Sequence, residues 1–578
     1  MQSPGRKLHA ALLLSLVLVC GAQGAARPNI IFVLTDDQGY GDLSCHGNPI
    51  LKTPNLDRLH DEGVRFTDFH VSPTCAPTRS ALMTGRHEFR NGVTHTIFER
   101  ERMALAAVTL PQELQRAGYT TGIFGKWHLG DEAAYQPGRR GFDEVFIHGA
   151  GGIGQTFSGS CGDAPDNHYF DPAILHNGRF EKTKGYCTDI FFAQALKWID
   201  SVKGKQPFFA YIPLNAPHSP LEVRAEDEQP YAGKVSANAA KFFGMVANID
   251  DNVGKLLARL AEWQIERDTL VIFMNDNGGT GGVGVFNAGM RGAKASPWLG
   301  GTRAASFWRW PGNFKPADVS QLTAHVDFFP TVAELVGLKL SAAAREQIEG
   351  RSLVPLLKDP GAPWADRTLV THVGRWPHGK AAEAKYHNCS IRNPRWQMVS
   401  PGNGREKRWQ LFDVKADPAE KNDVAADHPD VVKELEAAYD RWWDSVQPQL
   451  VNENVIGPKV NPFKELYWKQ FGGGPDEAML KKMDPTPRKN EPCNQCNSSS
   501  PACWSAVSAV PPRRPGASPT FCTSTPTTTG RMVCGRSATG SCRRQISTSS
   551  SSAASLSAML TRRARWLAPS ACPAARCC

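Results

Sequence analysis

Residues 29–35 are Asn-Ile-Ile-Phe-Val-Leu-Thr, and Asp36 and Asp37 follow directly. A continuous apolar run that ends in polar residues is typical of a strand buried on both faces of a parallel sheet. A second such run, residues 269–274, ends in Asn-Asp-Asn at residues 275–277. Because ligands of open α/β sheets gather beyond the carboxyl ends of the strands, we expect the two polar groups to lie near one another.

Helical and strand-like segments alternate between and around these two runs. Two predicted helices, 53–63 and 109–118, begin at a Thr-Pro or Thr-Leu-Pro start and end at a glycine. Helical periodicity predicts a third helix at 246–263, and the predicted strands are 64–69, 119–124 and 208–214. This alternation predicts an α/β domain, a large and mostly parallel sheet flanked by helices.

The pattern changes at about residue 366. Short strand-like segments follow at 368–372, 396–399 and 409–414, and a helical segment occupies 428–446. We therefore predict a smaller C-terminal domain at 366–447, with a short antiparallel sheet and one helix. Residues 448–492 are rich in proline and glycine, and we expect them to wrap the surface as an extension.

The net charge of +10 is confined to the last part of the chain. Residues 493–578 contain ten arginines, no lysine, aspartate or glutamate, and nine of the fifteen cysteines. A basic tail could bind nucleic acid or an anionic surface. However, the loss of three common residue types and the crowding of cysteine favour a disordered or out-of-frame end. The balanced remainder needs no polyanionic partner, so we predict no nucleic-acid binding.

Residues 1–26 have the composition of an export signal. Arg6 and Lys7 precede an apolar run at 8–19, and small residues follow at 21–26. Such a segment is too short to span a bilayer comfortably, and no later segment offers about 18 uninterrupted apolar residues. We expect an exported protein, periplasmic or secreted, without a membrane span. Export would permit one or two disulfides among its cysteines.

One cysteine begins the most informative motif of the chain. Residues 75–79 are Cys-Ala-Pro-Thr-Arg, and residues 80–86 are Ser-Ala-Leu-Met-Thr-Gly-Arg. Pro77 fits the first turn of a helix, which places Cys75 at a helix N-terminus, where backbone N–H groups favour an anion. Arg79 adds a permanent cation whose planar fork suits a sulfate or phosphate oxygen.

This motif resembles the nucleophile motif of the type I, formylglycine-dependent sulfatases, Cys-x-Pro-x-Arg followed by a Leu/Met-Thr-Gly-Arg segment. Thr78 departs from the serine that is more frequent there. The resemblance implies the alkaline phosphatase superfamily fold for residues 27–365. It also implies that a formylglycine-generating enzyme oxidises Cys75 to formylglycine during maturation. A buried or disulfide-bonded structural cysteine is the alternative, against which the twelve-residue match argues.

A second signature supports the resemblance. Residues 118–128, Gly-Tyr-Thr-Thr-Gly-Ile-Phe-Gly-Lys-Trp-His, match the family pattern Gly-Tyr-x-Thr-x-x-x-Gly-Lys-x-x-His at each fixed position. The match implies that Lys126 contacts the sulfate and the modified residue, and that His128 is the base that completes turnover. Taken singly, either residue would more often be a surface or structural side chain.

The two acidic strand ends supply oxygen ligands of the hard type. Asp36 and Asp37 at one end and Asp276 and Asn277 at the other would suit Ca²⁺ or Mg²⁺ rather than zinc or copper. Capping of the following helices is the alternative role of such residues. The resemblance implies that these four side chains are the Ca²⁺ ligands, with Mg²⁺ a possible substitute.

Two further side chains have weaker signals. His218, within Asn-Ala-Pro-His-Ser-Pro at 215–220, matches the family histidine on the leaving-group side of the ester. Lys294 precedes Gly-Gly-Thr-Arg at 300–303 and matches the family's lysine before Gly-Gly-x-Arg. A structural role in a loop remains the alternative for both.

The resemblance, which extends over about residues 28–447, implies an arylsulfatase-like sulfuric ester hydrolase. It would cleave the S–O bond of a sulfated small molecule or glycan and release inorganic sulfate. Residues 130–185 form a long glycine-rich connection that we expect to shape the pocket mouth. Two alternatives stay open: a phosphonate monoester or phosphodiester hydrolase on the same fold, and a non-catalytic protein that binds sulfated glycans.

Overall fold

The computed structural model describes residues 27–155, 159–402 and 408–482. The predicted export signal at 1–26 and the arginine-rich tail at 493–578 lie outside the described residues, as do the last ten positions of the predicted extension. Within the described ranges, no helix combines the length and the apolar content that a membrane crossing requires.

Strands and helices alternate along the chain. The strands are β1 (Asn29–Thr35), β2 (Val64–Phe66), β3 (Phe69–His70), β4 (Thr120–Lys126), β5 (Glu144–His148), β6 (Ala173–His176), β7 (Arg179–Lys182), β8 (Phe208–Pro213), β9 (Thr269–Asn275), β10 (Ser306–Arg309), β11 (Ala317–Val319), β12 (Thr323–Ala324), β13 (Leu369–His372), β14 (Cys389–Arg392), β15 (Trp396–Ser400) and β16 (Gln410–Asp413). The helices are α1 (Pro54–Glu62), α2 (Cys75–Thr84), α3 (Leu110–Arg116), α4 (Cys187–Val202), α5 (Ala225–Glu228), α6 (Ala237–Glu262), α7 (Leu299–Thr302), α8 (Phe328–Leu335), α9 (Ala342–Gln347), α10 (Val354–Lys358), α11 (Pro429–Val446), α12 (Pro462–Phe471) and α13 (Glu477–Lys482).

Ten strands form one large mixed sheet in the order β11-β2-β10-β9-β1-β8-β4-β5-β6-β7. Its centre, from β9 to β5, is parallel throughout, while β10, β6 and β7 add antiparallel pairs toward the two ends. The predicted α/β class with a parallel sheet is therefore confirmed for the centre, where ligands of such sheets bind.

The side chains of β1 alternate between two apolar cores. Ile30, Phe32 and Leu34 pack in a core that includes residues of α2, α3 and α8. Ile31 and Val33 pack in a second core with residues of α1, α4 and α6. Each large apolar side chain buried in this way contributes roughly 1.5–3 kcal/mol. Burial on both faces explains the uninterrupted apolar run and fixes the point where polar residues can begin.

The predicted smaller C-terminal sheet is also confirmed. Strands β13, β14, β15 and β16 form an antiparallel sheet, and α11 packs on it through Leu435, Tyr439 and Trp443. The sequence prediction omitted β14, because its four residues, Cys-Ser-Ile-Arg, contain too few apolar positions to show a period.

Several predicted boundaries are wrong. Residues 64–69 form two strands rather than one, and β3 pairs with β12 in a separate two-stranded sheet. Helix α6 begins at Ala237, well before the predicted residue 246, because the Ser236 side chain caps it by accepting from Ala239 N at 3.3 Å. The segment 130–185, expected to be a connection, contains β5, β6 and β7.

The extension after residue 447 is partly helical. Phe463 on α12 is fully buried, and its ring lies 6.0 Å from that of Phe180 on β7. The extension is therefore anchored to the large sheet through this side chain. All five described cysteines, Cys45, Cys75, Cys161, Cys187 and Cys389, are free thiols.

Candidate active site

The two acidic strand ends meet at the carboxyl edge of the large sheet. Strands β1 and β9 are adjacent and parallel, with Thr35 opposite Asn275, so that Asp36 and Asp276 follow at neighbouring positions. Asp37 N donates to Asp276 Oδ1 at 3.3 Å. The sheet register therefore brings together two acidic groups that are about 240 residues apart in the chain.

Residue 75 faces the same point. It is the first residue of α2 and is buried, with 2% of its surface exposed. The Cys75 sulfur and one carboxylate oxygen each of Asp36 and Asp276 all lie within 4.8 Å of one another. Helix α2 thus aims its N-terminus, which favours negative charge, at the acidic strand ends.

Arg79, one turn further along α2, holds Asp276 in place. Its Nη2 and Nε donate to Asp276 Oδ2 at 2.8 and 3.1 Å. Two further donations, to the carbonyls of Lys126 and Leu214, are both 3.2 Å long. Because the side chain is almost completely buried, this network fixes the guanidinium against three strand ends.

Two lysines neutralise the first acid pair. Lys126, at the end of β4, places Nζ 2.5 Å from Asp36 Oδ2, and Lys294 Nζ pairs with Asp37 Oδ1. Burial alone would raise the pKa of both carboxyls, but Lys126 for Asp36 and Lys294 for Asp37 outweigh it and lower both values. Both carboxylates are therefore ionised at neutral pH.

The same lysines give residue 75 an electropositive surrounding. Burial opposes ionisation of the Cys75 thiol, but the charges of Lys126 and Lys294 lower its pKa below the ordinary range. An anion at this position would be stabilised by both ammonium groups and by the start of α2.

Asp276 behaves differently from the first acid pair. Burial, followed by the Asp36 carboxylate, raises its pKa well above the usual range, and Arg79 opposes this shift. Repulsion between close carboxylates of this kind is relieved by a bound cation.

Unpartnered oxygens complete the donor set. Asn277 Nδ2 donates to Asp37 Oδ1 at 3.1 Å, so its Oδ1 is left available. Neither Asn277 Oδ1 nor Asp36 Oδ1 has a hydrogen-bond partner in the part of the chain that the structure describes. A cluster of buried carboxylate and amide oxygens with orphaned acceptors fits a hard divalent cation.

His128 lies two residues beyond Lys126, in a left-handed backbone conformation with φ of 60°. Its Nε2 is 2.7 Å from the Thr96 carbonyl, which can only accept, so the proton is assigned to Nε2. Its Nδ1 is buried and meets no hydrogen-bond partner among the described residues. Burial, with Lys126 adding to it, lowers the His128 pKa well below the ordinary range. The ring is therefore a neutral base with a free lone pair.

His218 approaches from the loop after β8. Its Nδ1 lies 2.6 Å from the Ser219 carbonyl, and its Nε2 lies 3.7 Å from Asp37 Oδ2. A glycine-rich segment covers both histidines: a Cβ on Gly151 would lie 3.0 Å from His128 Cε1, and one on Gly152 only 2.6 Å from His218 Nδ1. A side chain at residue 152 would therefore displace the His218 ring or the loop, whereas at residue 151 a small shift of the His128 ring would be enough.

The structure brings the ten predicted site residues to one edge of the sheet. The contacts described above link nine of these residues to one another. The tenth, His128, has its described hydrogen bond with the Thr96 carbonyl, which is not one of the ten. The sequence analysis missed His148, which is completely buried and directly opposite Lys126 in the register of β4 and β5. Its signal was available, because His148 ends the apolar segment of β5 as the acids end β1 and β9.

Comparison with protein families gives two matches. Residues 28–338, more than half of the chain, match the family model described as Sulfatase. Residues 301–442, which include the small antiparallel sheet, match the model described as N-sulphoglucosamine sulphohydrolase, C-terminal.

Individual relatives agree with these models. The chain is 32% identical to N-acetylgalactosamine-6-sulfatase of Homo sapiens over 373 residues, 58% of this chain and 67% of the relative. It is 28% identical to arylsulfatase J of Mus musculus over 455 residues, 72% of this chain and 75% of the relative. A crystal structure of Ps i-CgsB in complex with k-i-k-neocarrahexaose is similar with a TM-score of 0.63 at 27% identity, covering 77% of this chain and 97% of that one.

Proposed function

This chain belongs to the sulfatase family, and we propose a specific mechanism for it. The chain is a sulfuric ester hydrolase, and its family and relatives support hydrolysis of a sulfate ester. In our proposal, an oxidised Cys75 attacks the ester at the carboxyl edge of the sheet, where the two acidic strand ends would hold a Ca²⁺, and inorganic sulfate is released.

Asp36, Asp37, Asp276 and Asn277 are the proposed ligands of the cation. The observation that supports this role is the pair of orphaned buried oxygens, Asp36 Oδ1 and Asn277 Oδ1, beside three carboxylates. The all-oxygen donor set favours Ca²⁺, with Mg²⁺ as the alternative. When bound, the cation would withdraw negative charge from the sulfate oxygens.

Residue 75 is the proposed nucleophile after oxidation to formylglycine by a formylglycine-generating enzyme. Its hydrated aldehyde would supply a hydroxyl group for attack on sulfur and a second one for sulfate release. Since Cys75 is buried in the folded chain, we propose that the modifying enzyme acts before folding is complete.

The cationic side chains are proposed to hold the sulfate. Lys126 and Lys294 now neutralise Asp36 and Asp37. If a cation neutralised these carboxylates instead, both ammonium groups would be available to the sulfate oxygens, where negative charge develops. Arg79 remains bound to Asp276 and keeps that ligand oriented.

The two histidines are the proposed proton carriers. His128 Nδ1, neutral and unpartnered among the residues described, would accept the proton from residue 75 that accompanies sulfate release. His218 Nε2 would donate a proton to the departing alcohol or phenol, with Lys294 close to the same carboxylate. Thr96 and Ser219 orient the two rings through their carbonyls.

The proposed substrate is a sulfated glycan or small molecule. One relative is an N-acetylgalactosamine-6-sulfatase, and one similar structure holds an oligosaccharide. At the site itself, the exposed Arg375 donates from Nη2 to Thr96 Oγ1 at 3.1 Å. Thr96 is also the residue whose carbonyl orients His128. We propose that Arg375 contacts an anionic or polyhydroxyl part of the substrate beyond the ester.

The domain limits and the location remain part of the proposal. Residues 27–365 would form the catalytic domain, 366–447 the smaller domain, and 448–492 the extension. Residues 1–26 would direct export to the periplasm or the medium.

The observation that carries the proposal is the convergence of residue 75, two acid pairs and two lysines at one buried point. A hydrolysis screen tests it, with protein coexpressed with a formylglycine-generating enzyme and assayed on sulfated sugars, an aryl sulfate and an aryl phosphonate. We expect sulfate release that requires added Ca²⁺. Turnover of the phosphonate alone would instead identify a phosphonate hydrolase. If fully oxidised protein hydrolysed none of the esters, the chain would be a non-catalytic protein that binds sulfated glycans.

A further inference from the structure

A second group of metal-binding side chains lies outside the acidic cluster. Cys45 and His46 belong to the short 3₁₀ helix Ser44–His46, and His60 lies in the last turn of α1. The Cys45 sulfur and one ring nitrogen of each histidine all lie within 4.8 Å of one another. All three residues are half-buried, so that solvent reaches the group.

Each imidazole already has a hydrogen-bond partner for its Nδ1 atom. His46 Nδ1 is 2.7 Å from the Tyr40 carbonyl, and His60 Nδ1 is 2.7 Å from Asp61 Oδ1. Both partners only accept hydrogen bonds, so the protons are assigned to Nδ1. Each Nε2 then carries a lone pair, for which the described residues provide no hydrogen-bond donor. Metal-bound histidines in proteins almost always show this arrangement, with the second nitrogen bonded to a carbonyl or a carboxylate.

The surrounding structure holds the three side chains in place. The His46 ring stacks on Tyr40 at 3.8 Å between centroids, and both imidazoles contact the edge or face of Phe307 at 5.5 and 5.3 Å. Asp57 Oδ1 accepts from Cys45 N at 3.0 Å and ties the 3₁₀ helix to α1. The group therefore sits on fixed backbone rather than on a free loop.

We propose that Cys45, His46 and His60 form a Zn²⁺ site, with water as the fourth ligand. One sulfur and two imidazole nitrogens are the donors that zinc prefers, in contrast to the all-oxygen cluster at the strand ends. In a tetrahedral zinc site the ligand atoms stand roughly 3.3–3.7 Å apart, so the side chains would close by about 1 Å on binding. Binding converts the Cys45 thiol to a thiolate, and its proton passes to solvent.

This site is independent of the proposed reaction. It shares no side chain with the acidic cluster, and its role would be to tie α1 to the loop that follows β1. Zinc binding would stabilise the folded chain by an amount that grows with the free metal concentration.

Cobalt substitution tests the site directly, because Co²⁺ reports thiolate coordination by a charge-transfer band. The full chain is used as a Cys75→Ala variant saturated with Ca²⁺. Each spectrum is read as a difference from this parent, because the nine cysteines of residues 493–578 can also bind Co²⁺ and are common to all variants. We expect Cys45→Ser in this background to lose the band of one Co²⁺ equivalent. Cys389→Ser, which removes a buried thiol in the small sheet, is the matched control and should keep the band.

Two further variants keep the proposal testable if Cys45→Ser folds poorly. His60→Ala should abolish the same band, and Asp61→Asn should weaken Zn²⁺ binding by about 10–100-fold in a chelator competition. A spectrum and a Zn²⁺ affinity that are the same in the parent, Cys45→Ser and His60→Ala proteins would overturn the site. Loss of sulfatase activity is not a readout of this test, so its outcome is separate from that of the proposed function.

Discussion

The Lys126 ammonium nitrogen lies 2.5 Å from Asp36 Oδ2, and both side chains are completely inaccessible to solvent. Removing one partner of a buried ion pair costs about 3–5 kcal/mol, because the other charge is left without compensation. A divalent cation on Asp36 would supply the same compensation. The pair therefore links the stability of the chain to the occupancy of the proposed metal site.

Lys126→Met should lower the unfolding temperature in the presence of a chelator and make Ca²⁺ more stabilising than it is for the wild type. The reason is that Asp36 then depends on the cation alone for charge compensation. Thermal unfolding with Ca²⁺ and with chelator measures both effects. Lys197 is an exposed residue of α4, and Lys197→Met is therefore a control that should leave the Ca²⁺-dependent shift unchanged. An equal shift in wild type and Lys126→Met would argue against a cation on Asp36.

Gly152→Ala should reduce kcat/KM by about 10²-fold, because displacement of a positioned catalytic group by about 1 Å has costs of this size. A Cβ at this position would lie 2.6 Å from His218 Nδ1 and would push the ring or the loop away. Steady-state kinetics on an aryl sulfate checks the effect. Gly138→Ala, where nothing lies within 4 Å of the added Cβ, should retain normal kinetics. Normal kinetics in both variants would argue against a role of His218 in the reaction.

Asp131→Asn should flatten the dependence of stability on pH. Burial raises the pKa of Asp131 from 3.8 to about 7, although Gly162 N and Asn461 Nδ2 donate to its Oδ2. A raised carboxyl pKa means that the folded state binds the extra proton between these values, so stability falls as pH rises through this window. At 1.36 kcal/mol per pKa unit, the loss approaches about 4 kcal/mol by pH 8.

Unfolding by denaturant at several pH values between 4 and 8 measures this loss for wild type and variant. We expect the wild-type curve to fall more steeply than the curve of Asp131→Asn. Asp444→Asn, at an exposed carboxylate on α11, should follow the wild type. Parallel curves for wild type and Asp131→Asn would mean that Asp131 stays ionised in the folded chain.

Arg375→Ala should raise KM for a sulfated glycan while leaving the kinetics on a small aryl sulfate nearly unchanged. The guanidinium is anchored on Thr96, beside His128, but it contacts none of the predicted metal ligands in the described hydrogen bonds and ion pairs. Parallel kinetics on the two substrates measures the difference. Arg58→Ala, an exposed arginine on α1, is the control. An equal loss on both substrates would mean that Arg375 supports His128 rather than the sugar.

The sequence predicted the acidic strand ends well, and the reason is physical. A strand buried on both faces cannot carry polar side chains, so polar residues begin where the strand ends, and parallel neighbours end at the same edge. The same rule also indicates His148, which ends the apolar segment of β5. The metal, the modification and the roles of the side chains came from the family resemblance and stay predictions.

Other features depend on tertiary contacts that no local pattern reveals. The acceptor that orients His128 is the Thr96 backbone carbonyl, a group that every residue has. Gly151 and Gly152 lie within the glycine-rich segment 130–185, but their closeness to the two histidine rings depends on how the loop folds back. Strand β14 is short, and its extended conformation depends on antiparallel pairing with β13 and β15.

We propose that an oxidised residue 75 attacks sulfur at the acidic edge of the sheet. The most direct measurement is the rate of sulfate release by wild type and by Cys75→Ala, each coexpressed with a formylglycine-generating enzyme and assayed with Ca²⁺ on the same ester. A peptide containing residue 75 that is about 18 Da lighter than its unmodified form, by atom counting, identifies the active wild-type material. We expect a rate at least about 10³-fold lower for the variant. Sulfate release by the variant at the rate of the oxidised wild type would rule out residue 75 as the nucleophile.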